Sequence, residues 1–165
     1  MKKLITLAMA LILALPALAQ SQTSGIKDND KDSALESAHW YIPLDYGGFE
    51  FEIPAGSVVK KDSKLLVTYP DASFGVSMEN EAVGLNQKIA FEKVRSYATN
   101  YKLTDAKTEK VKIAGVAGAK ATGKLENMDV TILILPLDDQ QVTTVVMATP
   151  ERSEWARHFI DSFKH

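Results

Sequence analysis

This sequence predicts an α+β domain with a mostly antiparallel sheet of six or seven strands, covered by helices on both faces. Three patterns carry that prediction. Several short segments alternate apolar and polar residues with the period of a strand, and two others repeat their apolar residues at helical spacing. The stretch Val130 to Leu135 is apolar or β-branched at every position, so its strand needs cover on both sides.

Of 165 residues, 45% are hydrophobic and 24% charged, a globular balance that fits one domain and argues against a disordered or fibrous chain. There is no cysteine, which excludes a disulfide framework, thiolate metal ligation, a thiol nucleophile and a lipidated cysteine anchor. A formal charge of −2 supplies no overall field for nucleic acid or anionic membrane.

Met1-Lys2-Lys3 is a cationic start, Leu4 to Leu15 an apolar run, and Ala17-Leu18-Ala19 offers small residues where a signal peptidase reads. The run is shorter than the ~20 residues that span a bilayer. Residues 1–19 therefore read as a secretory signal cleaved after Ala19, and the expectation is a periplasmic or secreted chain with no membrane insertion after cleavage. Loss of Lys2 and Lys3 takes the formal charge from −2 to −4. Residues 20–38 hold few apolar side chains and read as a disordered leader. Asp28, Asp30 and Asp32 alternate like the opening of a calcium loop, but Ser33 and His39 stand where that loop needs Gly and Glu, so a solvated charge run is the better account. Residues 39–165 form the single folded domain, opened by Trp40, Tyr41, Ile42 and Leu44, which read as an arm docking on the core or an exposed aromatic platform.

Phe49, Phe51 and Ile53 alternate with Glu50 and Glu52 in a first strand, ended by Pro54-Ala55-Gly56. Leu65 to Tyr69 gives a second, and Phe74, Val76 and Met78 mark a third. Ala90, Val94, Tyr97 and Tyr101 then recur at helical spacing, so an amphipathic helix runs from about Asn86, its N-cap, to Tyr101. Glu109, Val111 and Ile113 lead to a turn at Gly115 to Gly118 and a return strand through Ala119, Ala121 and Leu125. After Glu126-Asn127 comes the two-faced strand, then Val142 to Ala148, and Thr149-Pro150-Glu151 reads as the start of the last helix. Trp155, Ala156, Phe159, Ile160 and Phe163 share its apolar face.

The segments Gly48-Phe49-x-Phe51-x-Ile53-Pro54-x-Gly56, Val111-Lys112-Ile113-Ala114-Gly115 and Ile160-Asp161-Ser162-Phe163-Lys164 occur in an order that resembles the PsbP-like fold. That fold is shared by the photosystem II extrinsic subunit, the Ran-binding Mog family and DcrB-type exported bacterial proteins. The resemblance covers Tyr46 to Lys164 and implies a binding or assembly module rather than an enzyme. The family's aromatic after Pro-x-Gly is replaced by Ser57-Val58, and no partner-contacting residues carry over.

Chemistry is sparse. His39, His158 and His165 lack oriented partners by sequence, with His158 read as solvated near Glu154 and Asp161. No nucleophile elbow, zinc-helix motif or phosphate loop is present. The carboxylate pairs Glu50/Glu52, Glu79/Glu81 and Asp138/Asp139 read as strand and turn surface. No catalytic, metal or cofactor-binding residue is expected. The remaining feature is lysine: Lys110, Lys112, Lys120 and Lys124 are expected on one sheet face, with Lys107 beside them, as a patch for an anionic partner or as guards of an edge hairpin. The leading expectation is a non-enzymatic envelope module that docks a protein partner. The alternative is a small secreted hydrolase or ligand-binding protein with a pocket between the sheet and the helix carrying Tyr97 and Tyr101.

Overall fold

The computed structural model describes residues 41–138, 141–150 and 153–165. The expected signal and leader, the Asp28 to Asp32 stretch, His39, Trp40, Asp139 and Glu151 lie outside the described residues.

Nine strands and two helices follow one another among them. A hairpin of β1 (Tyr41–Tyr46) and β2 (Phe49–Pro54) forms a two-stranded antiparallel sheet, joined at Gly47-Gly48. The main sheet contains β3 (Val58–Lys61), β4 (Leu65–Thr68), β5 (Gly75–Glu81), β6 (Thr104–Ile113), β7 (Val116–Leu125), β8 (Met128–Pro136) and β9 (Val142–Pro150). Its order is β3-β4-β5-β9-β8-β7-β6, with every neighbouring pair antiparallel. Helix α1 (Gln87–Asn100) connects β5 to β6, and α2 (Glu154–Asp161) follows β9.

The alternation within β8 divides the interior in two. Val130, Ile132 and Ile134 belong to a cluster with Ala119 and Ala121 of β7 and with Ala90, Val94 and Ala98 of α1. Leu133 and Leu135 belong to the other, with Phe49, Phe51 and Ile53 of β2, Phe159 of α2 and Phe163 just beyond it. All five β8 side chains are at most 1% exposed. Small residues on α1 and β7 let the helix lie close to the sheet. Opposite, aromatic bulk fills the space, with Phe51 5.2 Å from both Phe159 and Phe163 between ring centres. There α2 packs chiefly against β2, so hairpin and helix contribute to this core together.

Several expectations need correction. Strands β1 and β3 are additions to the sequence expectation: the segment expected as a docking arm or an exposed aromatic platform is strand β1, and β3 lies in a stretch, Val58–Lys61, that is exposed at every position and so has no alternation to see. The last helix starts at Glu154, because Thr149 and Pro150 still belong to β9. Strand β6 starts at Thr104 rather than Glu109. The β6–β7 loop is only Ala114-Gly115, both at positive φ (49° and 84°), as a two-residue hairpin loop requires. Gly118 lies inside β7. A Cβ there would collide with the Ile134 carbonyl oxygen, so glycine allows the approach of β8. The N-cap expectation matches the geometry, with Asn86 Oδ1 accepting from the Ile89 amide at 3.0 Å.

Truncating either face of β8 should be costly. Leu133→Ala and Ile134→Ala are each expected to lower unfolding free energy by about 2–5 kcal/mol in urea titrations. A loss below about 1 kcal/mol for either would mean that its face is not a packed core.

Candidate functional site

The lysines lie at one end of the sheet, on the hairpin of β6 and β7. Strand β6 is bonded to β7 on one side and has no other neighbour in the sheet order among the described residues. Because the loop has two residues, even-numbered positions of β6 from Lys107 to Ile113 stand opposite odd-numbered positions of β7. Lys110 faces Ala119 and Lys112 faces Ala117, whereas Lys120 faces Glu109 and Lys107 faces Thr122. Lys110 and Lys112 therefore share the α1 side, while Lys107, Lys120 and Lys124 share the opposite side. The single-face arrangement drawn from the sequence is corrected accordingly.

Their electrostatic state differs as well. Lys120 Nζ lies 2.6 Å from Glu109 Oε1, and Lys124 has a polar or charged contact of its own. Among the described residues, Lys107, Lys110 and Lys112 have no ion-pair partner. All three are exposed and all three are on the edge strand. A cavity of about 390 Å³ opens beside the C-terminal end of β6, between Val111, Ile113 and Lys120 on the hairpin and Ile160, Asp161 and Phe163 at the end of α2. This combination can hold an anionic, partly apolar chain. It contains no nucleophile paired with a base.

Helix α1 places Tyr97 and Tyr101 against the sheet, where Tyr101 is 2% exposed and packs in the α1-side core with Tyr97 beside it. They fill space, and a cavity of about 510 Å³ opens at the other end of that helix, between Asn86 and Gln87 and the sheet residues Val116, Ala117 and Pro136. Burial pushes the Tyr101 hydroxyl up to about 12, with Tyr97 and Glu79 adding to the effect. Burial first and Glu81 second raise the Glu79 carboxyl above its ordinary value, against the pull of Lys64 and Lys93. Glu81 accepts from Lys93 Nζ at 2.8 Å, which ties β5 to α1. Thr144, opposite Glu79 on β9, has a buried Oγ1 without a hydrogen-bond partner among the described residues.

His158 has the oriented partners that sequence reasoning missed. Its Nε2 is 2.6 Å from Glu52 Oε2, and its ring stacks on Tyr41 at 3.5 Å. Ser162 Oγ accepts from the Glu52 amide at 2.9 Å and donates to the Phe159 carbonyl. Glu50 and Lys164 exchange two main-chain hydrogen bonds. Glu50 and Glu52 are therefore a latch holding the C-terminal segment, and the contacts span more than a hundred residues, beyond any local pattern. Among the described residues no group of three His, Asp or Glu is placed to hold a metal ion, and no helix is long and apolar enough to cross a membrane.

No family model matches the chain, and no curated protein matches it. Among solved structures it is similar to a protein from Bacteroides thetaiotaomicron VPI-5482, with 14% identity and a TM-score of 0.47 over 70% of this chain and 44% of that one. The chain thus spans less than half the length of that protein. It is also similar to LpqN, described as involved in cell envelope biogenesis of Mycobacterium tuberculosis, with 8% identity and a TM-score of 0.45 over 78% of this chain and 92% of that one. Neither likeness carries an argument about function.

The raised Tyr101 value has a stability consequence. Above pH 10 the unfolded tyrosine loses its proton before the folded one does, so its contribution is complete below 10 and declines as pH rises through about 12. Urea melts at pH 9 and 11.5 should show a steeper loss of stability for the parent chain than for Tyr101→Phe. Equal losses would contradict the burial argument.

Proposed function

We propose that this protein is an exported, non-enzymatic binding or assembly module of the bacterial cell envelope, built on a PsbP-like plan with a helix contributing to each face of its sheet. Its export rests on the charged start, apolar run and small-residue site of Met1 to Ala19. The docking surface is the lysine edge, and its partner is an anionic envelope protein. The observation that carries this reading is that Lys107, Lys110 and Lys112 stand exposed on a ten-residue edge strand with no acidic partner among the described residues. Surface cations near an acidic residue ordinarily pair or cost little to pair. Three left open on one strand are available to another chain, and binding through them weakens with salt.

Two experiments test this. Expression in a bacterial host with an outer membrane should yield a periplasmic chain beginning at Gln20 by intact-mass measurement; a chain retaining Met1 in the cytosol would contradict export. Crosslinking of the exported chain in its own envelope should capture a protein partner in a salt-sensitive way. The Lys107→Gln, Lys110→Gln, Lys112→Gln triple variant should lose that capture with its melting temperature unchanged. Capture retained while the variant aggregates would instead show the lysines to be guards of the edge.

A further inference from the structure

We infer that the occupant of this edge is an extended segment of the partner that alternates carboxylate and aliphatic side chains and adds to β6 as an eighth strand of the main sheet. The inference rests on the reading that the lysine edge is the docking surface, and it names the chemistry of what docks there.

An edge strand offers unpaired main-chain donors and acceptors along its outer side, which an extended peptide can complete. Strand β6 is ten residues long, and its pairing with β7 is regular from Lys107 to Ile113 once the irregularity between Thr104 and Lys107 is passed. That irregularity, with Asp105 at φ 52°, bends the start of the strand and leaves the later part as the usable edge. The two faces of this part differ. Toward α1 it presents Thr108, Lys110 and Lys112, and an incoming strand would set its own side chains about 5 Å from these, where carboxylates are favoured. Toward the other face it presents Lys107, Glu109, Val111 and Ile113, the last two beside the cavity of about 390 Å³ that Lys120, Ile160, Asp161 and Phe163 also line. That cavity accepts an aliphatic side chain.

Since side chains of a strand alternate between faces, one register satisfies both demands: carboxylate, aliphatic, carboxylate, aliphatic. Guarding lysines account for the cationic face but give no reason for a cavity with Val111, Ile113, Ile160 and Phe163 in its wall on the reverse side of the same strand. A second copy pairing through its own β6 with the two-fold at Lys110 or Val111 would bring lysines against lysines, which is disfavoured.

The probe is the blocked peptide Thr-Glu-Val-Glu-Val-Glu-Thr, titrated at low salt against the chain from Gln20 to His165 and read by fluorescence anisotropy. Saturable binding is expected, weakened about tenfold or more by Lys110→Gln with Lys112→Gln and kept by Lys110→Arg with Lys112→Arg. The same peptide with alternate amide nitrogens methylated keeps its charge and loses its hydrogen bonds, and it should not bind. Equal binding of methylated and unmethylated peptides, still lost with the lysines, would overturn strand addition while leaving the lysine edge as a docking surface. Binding indifferent to the lysines, or no binding, would overturn the inference together with its basis if envelope capture also survives the lysine triple variant. Sedimentation showing that the peptide only splits a dimer joined through β6 would assign the edge to a second copy and overturn it too.

Discussion

The rest of the structure depends on the burial of β8 from both sides. A strand with Val130, Ile132 and Ile134 on one face and Leu133 and Leu135 on the other cannot sit at a solvent-exposed surface. Each such side chain contributes roughly 1.5–3 kcal/mol when buried, so the sheet must be covered twice. That requirement places β8 near the middle of the order and drives β6, the most polar of the long strands, to the rim. The open edge is a consequence of the core's demand as well as a surface in its own right.

Without disulfides, the cover over the second face is fastened by chemistry between distant segments. Strand β2 carries Phe49, Phe51 and Ile53 inward, while Glu50 and Glu52 turn outward to hold Lys164, the Ser162 hydroxyl and His158. Aromatic packing supplies the bulk of that closure, and the polar latch fixes how the C-terminal segment lies along β2. The end of α2 is thereby set beside the β6–β7 hairpin, where Ile160 and Phe163 wall the cavity. Fold and candidate site share these residues: the ones that close the core also shape the pocket at its margin.

Local periodicity made much of the fold legible. Phe49 to Ile53, Met78, the α1 repeat and the two-faced run of β8 all stand where their spacing placed them. The misses have physical causes. β3 is exposed on both faces, so the burial that creates alternation is absent. Gly118 signalled a turn but serves close strand approach, two uses of glycine that look alike in sequence. Of the candidate site, the lysines were visible as residue types, yet their division between faces required the odd-with-even pairing of a two-residue loop. The cavity was not visible at all, because it is made by Ile160 and Phe163 meeting Val111 and Ile113 across nearly fifty residues.

The central claim is that β6 is an open edge on a chain whose stability resides in β8 and its neighbours. Native-state hydrogen exchange, resolved by residue in the chain from Gln20 to His165, tests it most directly. Amides of β8 and β9 should exchange only through global unfolding, whereas along Lys107 to Ile113 fast and protected amides should alternate, the fast ones pointing away from β7. Uniform protection along β6 equal to that of β8 would show that the edge is already covered, and would contradict the account.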